Sequence, residues 1–302
     1  MLSHRYTRLR ATVLALTAAL TAVLALDATT IIAAPATTAD SSLELPAALT
    51  PPSGLRLLHW SGQTWVVTPE NQPGPEAHVH MTDSSSAVYV DSKGRLHLKI
   101  IKVNGVWRSV QLMMLGQPAY GTYRWVVRGT TAKFSKNTVL GLFVYESTGT
   151  KFANEIDIED SRFTDWIHPN DAQYIVQPYY GYQHWCPYRS PRSVSLESQA
   201  FTWQPGKVSF VSRRGTATNG PAETVHCDFS DARRLGGTAA AKAKHVGKGS
   251  NGTRRSFSYA GADVPAPSRQ RIFINLWTNR NRPPTGGTHS IVIDSFSFTP
   301  AG

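Results

Sequence analysis

Residues 137–160 read NTVLGLFVYESTGTKFANEIDIED. Thr138 to Tyr145 is an apolar, β-branched and aromatic run; Ser147 to Lys151 is rich in turn formers; Glu155, Ile156, Asp157, Ile158 and Glu159 then alternate strictly. Strict alternation is the signature of a half-buried strand, because successive side chains of a strand point to opposite faces. In such a strand Ile156 and Ile158 enter a core and the three acids share the other face, about 6.6 Å apart at successive positions. Working outward, the same kind of run recurs: AVYVDSKGRLHLKI around a turn at Asp91 to Gly94, YGTYRWVVRG, AQYIVQPYY, KVSFVSRRG, RIFINLW and SIVIDSFSF. No segment of convincing length carries a helical period, and no repeat is visible. Many short strands at regular spacing, bounded by turn residues, predict an all-β sandwich or barrel.

The chain has 302 residues, 41% of them apolar and 17% charged, which excludes bulk disorder and leaves room for one sizeable core. The first 36 residues have the pattern of an export signal. His4, Arg5, Arg8 and Arg10 precede an apolar stretch from Ala11 to Leu26, and the small residues Ala33, Ala34 and Ala36 follow near a plausible cleavage point. The apolar stretch is shorter than the roughly 20 residues of a spanning helix. Residues 37–53, rich in Thr, Ala, Ser and Pro, suit a flexible linker, and residues 54–302 form the expected folded domain. No later segment is apolar enough to span a bilayer, so the expected product is secreted and, after signal removal, has no transmembrane segment.

The 31 Lys and Arg outnumber the 20 Asp and Glu, giving a net charge of +11. Such a surface attracts polyanions, and an anionic cell-wall polymer is the expected electrostatic partner. Arg233, Arg234, Lys242, Lys244, Lys248, Arg254 and Arg255 concentrate that charge in a Gly- and Ala-rich stretch. No recognised nucleic-acid motif accompanies it, so no specific nucleic-acid partner is expected. Outside the cytoplasm, the two cysteines Cys186 and Cys227 are expected to form a disulfide. His78 and His80 could ligate a metal from one strand face, but no third ligand at a known spacing joins them.

A row of three carboxylates on one strand face is costly through like-charge repulsion, and a solvent-facing edge strand is its plain structural explanation. The chemical explanation is glycoside cleavage, in which one carboxyl attacks and another donates a proton. The outer pair, Glu155 and Glu159, fits those two roles, with Asp157 placed to hold its neighbour by a hydrogen bond. Crowding raises the proton affinity of one carboxyl, as a general acid at neutral pH requires.

The run EIDIE at Glu155 to Glu159, with YGTY at Tyr120 to Tyr123, TVLGLFVYES, FTWQPGKVSF at Phe201 to Phe210, NLW at Asn275 to Trp277 and SIVIDSFSF, resembles the family 16 glycoside hydrolases, the β-glucanases of lichenase and laminarinase type. The resemblance covers about residues 55 to 300. It implies a two-sheet antiparallel β-sandwich, a jelly roll of concanavalin A type, with a concave-face cleft for a β-glucan. It also implies Glu155 as nucleophile, Asp157 as assisting residue and Glu159 as general acid/base. The unbulged spacing of EIDIE tilts the expected substrate toward β-1,3-1,4-glucan or another β-glucan. Two positions depart from the lichenase pattern. Ala153 stands where that pattern has a cleft-facing Trp, and Asp160 where an aromatic usually follows the second Glu. Alternation turns Asp160 away from the cleft and toward the core, where it needs a partner such as Arg162.

Sugar-binding candidates share the face of the acids. In RIFINLW, Phe273, Asn275 and Trp277 alternate with Ile272, Ile274 and Leu276, and Asn275 and Trp277 match family positions implicated in substrate binding. Gln177 and Tyr179 share a face in AQYIVQPYY and resemble the amide and Tyr of the strand next to the catalytic one, with Pro178 marking a strand end or bulge. Tyr145 is a further candidate, and Trp166, Tyr180, Tyr182 and Trp185 are candidate subsite walls. The expected activity is retaining endo-hydrolysis of a β-glucan by a monomer without a cofactor; a structural calcium, seen in some family members, has no locatable site. A transglycosylase on the same site, and a lectin-like binder without turnover, are the alternatives.

Overall fold

The computed structural model describes residues 54–70, 72, 74–76, 78–146, 154–163, 170–178, 184–190, 194–216 and 257–302. The signal, the linker, Cys227 and most of the basic stretch lie outside them. Two antiparallel sheets face each other. The front sheet has eight strands in the order β1 (Leu57–Trp60), β2 (Gln63–Val67), β7 (Val110–Met114), β16 (Arg271–Thr278), β9 (Thr138–Tyr145), β10 (Ile156–Asp160), β11 (Ala172–Val176) and β12 (Trp185–Tyr188). The back sheet has seven, in the order β15 (Phe257–Ala260), β14 (Lys207–Arg214), β13 (Leu196–Gln204), β8 (Gly121–Arg128), β17 (Ser290–Pro300), β4 (Leu96–Lys99) and β3 (Val88–Val90). A separate hairpin joins β5 (Ile101–Val103) to β6 (Val106–Arg108). The fold is the expected two-sheet β-sandwich.

Alternation explains which face of each strand is dry. Leu140, Leu142 and Val144 of β9, Ile156 and Ile158 of β10, Tyr174 of β11 and Ile272, Ile274 and Leu276 of β16 are buried in one core with Tyr123, Trp125, Phe201, Trp203 and Phe210 of the back sheet. Aromatic contacts across the gap seal it: Trp65 meets Phe296 edge-on at 5.4 Å, and Tyr174 stacks on Phe210 at 4.9 Å. A register shift between Ile293 and Ser295 in β17 inserts one residue, so that both Ile293 and Phe296 turn inward. The turn predicted at Asp91 to Gly94 joins β3 to β4, with the Asp91 carboxylate accepting the backbone N–H groups of Lys93 and Arg95.

Strand β10 is shorter at its start than alternation predicts. Asn154 takes φ +64, a left-handed conformation that Asn tolerates better than most residues, and the ladder begins at Ile156. Strand β11 stops at Val176, ahead of a cis Gln177–Pro178 peptide. The hairpin β1–β2 and strands β7 and β12 are not among the runs that alternation marks. Asp160 faces the core as expected, at 1% exposure, but the partner is not Arg162. The Gln199 amide on β13 donates to it at 3.0 Å. Burial pushes the Asp160 carboxyl up to about 7; the Gln199 amide opposes that rise and the nearby Asp171 charge adds to it.

Candidate active site

The register of the front sheet assembles the site on its outer face. Asp157 pairs with Phe143 on β9 and Ile175 on β11; Glu159 pairs with Gly141 on β9 and Gln173 on β11. Across β9, Phe143 pairs with Phe273 and Gly141 with Asn275 on β16. Three rows therefore run across the strands. Glu155 lies beside Tyr145; Asp157 continues into Phe143 and Phe273; Glu159 continues into Gly141 and Asn275. The Phe143 and Phe273 rings stack at 5.2 Å, giving the second row an apolar surface next to the acids.

The sequence dictates this arrangement through one glycine. The Asn275 side chain lies across Gly141, accepting its N–H at 3.1 Å, and a Cβ at Gly141 would come within 2.5 Å of that amide oxygen. The Asn275 amide then donates to Gln111 at 3.4 Å, and Gln111 to Thr68 at 3.3 Å. Asn275 is thus 2% exposed and held between β9 and β7.

The carboxyls are held unequally. Asp157 is 3% exposed and hydrogen-bonds Glu155, while the Gln177 amide donates to Asp157. Glu159 accepts from Gln173 Nε2 at 2.6 Å, and Gln173 Oε1 accepts from Trp185 Nε1 at 2.6 Å. Burial pushes all three carboxyls above the ordinary carboxylate range. At Glu155 the Glu159 charge adds to burial and the Asp157 hydrogen bond opposes it; at Glu159 the Gln173 amide opposes it. A proton on Asp157, donated to Glu155, favours the carboxylate form of Glu155. Tyr145 is half-buried beside Glu155, and its hydroxyl is pushed up to about 12 by burial and then by the Glu155 and Glu146 charges.

The structure gathers Glu155, Asp157, Glu159, Tyr145, Gln177 and Asn275 on one face. Trp277 is on that face too, but at 6% exposure it packs against Val79, Met81, Val139 and Phe163. Tyr179, Ala153, Trp166, Tyr180 and Tyr182 lie outside the described residues. Cys186 is buried on β12, and its expected partner, Cys227, is outside them. His78 and His80 are both exposed, on either side of buried Val79. Among the described residues no group of three or more His, Cys, Asp or Glu could hold a metal, and no helix is long and apolar enough to cross a membrane. Sequence reading missed Gln173; alternation puts it on the face of Gln177, but only the β10–β11 register shows that it meets Glu159.

No family model and no curated protein matches the chain. Solved structures do. A Bacillus licheniformis β-glucanase superposes with a TM-score of 0.52 at 14% identity, over 84% of this chain and 96% of that one. A prokaryotic β-1,3-1,4-glucanase (lichenase) from a mouse hindgut metagenome gives 0.51 at 15% identity, over 80% and 95%. A Mycobacterium tuberculosis protein described as an immunostimulatory antigen and pseudo β-1,3-glucanase gives 0.51 at 14% identity, over 85% and 95%. At these identities the likeness is one of fold: the chain has the β-sandwich of glucanases.

Proposed function

We propose that the protein is a secreted glycoside hydrolase of the family 16 type, cleaving a β-glucan within the chain by double displacement with retention. The observation that carries this reading is the uneven holding of the carboxyl row: Asp157 bonds Glu155, while Gln173 bonds Glu159. Two carboxyls on one open face are thereby prepared for different work. Glu159 gives its proton to the glycosidic oxygen as that bond to the anomeric carbon breaks, and a Glu155 oxygen forms an ester to the same carbon. Glu159, now a carboxylate, takes a proton from water; the water oxygen attacks the anomeric carbon, and the ester bond breaks to return Glu155 as a carboxylate. Asp157 keeps its proton and steadies the Glu155 carboxylate at both ends of the cycle. Phe143 and Tyr145, each partly exposed, offer ring surface to the sugar beside the acids, with buried Phe273 stacked on Phe143. A sugar hydroxyl in place of water makes the same site a transglycosylase. The chemistry calls for no cofactor.

The export signal, removed near residue 36, the Cys186–Cys227 disulfide and loose retention on an anionic wall polymer through the basic stretch belong to the same proposal. A lectin-like reading draws on two observations. The Trp277 ring is covered and presents no open platform, and one protein of similar fold is described as a pseudo-glucanase. The test is release of reducing ends from β-1,3, mixed β-1,3-1,4 and β-1,4 glucans, xyloglucan and galactans, comparing the mature protein with Glu155→Gln. Activity on one glucan that vanishes in the variant supports the hydrolase. Silence from both proteins, with glucan binding retained, overturns it in favour of the binder.

A further inference from the structure

Gln173 and Glu159 are direct cross-strand partners, so their side chains must meet, and a terminal amide can meet a carboxyl in two ways. With its NH2 group forward it donates and favours a carboxylate. With its carbonyl forward it can only accept, and favours a protonated acid. The two orientations differ by a half-turn about one side-chain bond and bias Glu159 in opposite directions. A group that must first give a proton and then take one is sensitive to that choice.

Trp185 removes the choice. It pairs with Ile175 on β11, one diagonal step from Gln173, within reach of a large ring. The indole N–H is a donor with no acceptor capacity, so it can bond only the amide carbonyl, and it does so at 2.6 Å. That bond commits the NH2 group of Gln173 to Glu159 at 2.6 Å. Pro187, directly opposite Gln173 on β12, has no N–H to compete for the amide carbonyl.

We infer that Trp185 is a positioning residue for the acid/base: through a donor-only hydrogen bond it fixes the orientation of the Gln173 amide and so sets the pH at which Glu159 exchanges its proton. This inference rests on the role proposed above for Glu159, but the wiring can be read without turnover. Among the described residues, the groups facing Glu159 are few. Its own strand supplies Asp157 and Glu155; Gly141 on β9 and Gln173 on β11 carry no charge; Arg271 of β16 lies at the far end of the row that holds Tyr145 and Glu155. Neither described neighbour strand of β10 brings a cation to Glu159, so the orientation of one amide is a leading control on its proton. Trp185 itself never touches the reacting atoms.

The experiment is a 13C titration of the Glu159 side-chain carboxyl in protein labelled on glutamate, assigned by its disappearance in Glu159→Gln. It is run on the wild type, Trp185→Phe, Gln173→Met and the double variant. In Trp185→Phe the freed amide can turn its carbonyl to protonated Glu159, so the midpoint rises by roughly half to one in pH, the worth of one hydrogen bond. Gln173→Met raises it similarly by deleting the donor. Adding Trp185→Phe to Gln173→Met changes nothing further, because the indole acts only through the amide. An unmoved midpoint in Trp185→Phe overturns the inference, as does an equal rise in the Gln173→Met background, which would make the ring a mere shield from water. Thermal unfolding of each variant checks that the fold is retained. Where a glucan substrate is found, the alkaline limb of kcat/KM follows the same order. A protein without turnover on any glucan sinks the hydrolase reading and leaves the titration to decide the relay.

Discussion

Asp160 offers the sharpest test of how the core behind the acids is built. It is 1% exposed, its partner is a neutral amide, and its carboxyl is pushed from 3.8 up to about 7. Between those pH values the native state holds a proton that the unfolded chain has released, so stability falls as pH rises from about 4 to about 7. Below 4 both states are protonated and the contribution is flat. Each pH step of displacement is worth about 1.4 kcal/mol, so this one group carries about 4 kcal/mol of pH-dependent stability. Asp160→Asn removes the proton and keeps the shape. Its carbonyl still accepts from Gln199 Nε2, and its NH2 group has the unpartnered Gln199 Oε1 beside it. Urea unfolding followed by tryptophan fluorescence, on wild type and variant at several pH values from 4 to 8.5, gives the difference in stability at each. The two proteins should agree within about 1 kcal/mol at pH 4, and the variant should gain steadily toward about 4 kcal/mol at pH 8. Glu155, Asp157 and Glu159 contribute a fall of the same sign to both proteins, so the difference isolates Asp160. A difference that stays constant from pH 4 to 8 would refute the reasoning, because it would show that Asp160 titrates as it does in the unfolded chain.

Gly141→Ala should lower stability by about 1 to 3 kcal/mol through overpacking, since its Cβ meets the Asn275 amide at 2.5 Å; an unchanged urea midpoint would show that Asn275 moves aside freely. The pH dependence of kcat/KM should have its alkaline limb near or above neutral, because burial holds Glu159 above the ordinary carboxylate range; a limb near pH 4.5 would contradict that. Reduction of the mature protein should raise its intact mass by about two hydrogens and cost a few kcal/mol of stability, the worth of closing a loop of about 40 residues; an unchanged mass rules out the Cys186–Cys227 bridge.

What the sequence shows and what it hides divide along a physical line. Alternation is a property of one strand, so Glu155, Asp157 and Glu159 on one face, and Asp160 with Ile156 and Ile158 on the other, can be read without neighbours. Register is a property of two strands. Nothing within AQYIV says that Gln173 stands opposite Glu159, and nothing near Asp160 says that Gln199, 39 positions away, will reach it in place of the nearby Arg162. Trp277 shows the same limit from the other side. Its position on the acid face follows from the alternation of RIFINLW, but Val79 and Met81, which help to cover it, come from a segment about 200 positions earlier. The hairpin β1–β2 carries no clear alternation, because its Trp, Gln and Thr residues blur the pattern and it stands at an edge of the front sheet, where one neighbour fewer relaxes it. The chemistry depends on both levels. The row of acids supplies the reactive groups, and the register supplies the amides that make them unequal, Gln177 toward Asp157 and Gln173 toward Glu159. A carboxyl row without those partners would repel itself and share its protons without assigning them; with them, one member is steadied as a carboxylate and another is kept able to give a proton and take it back.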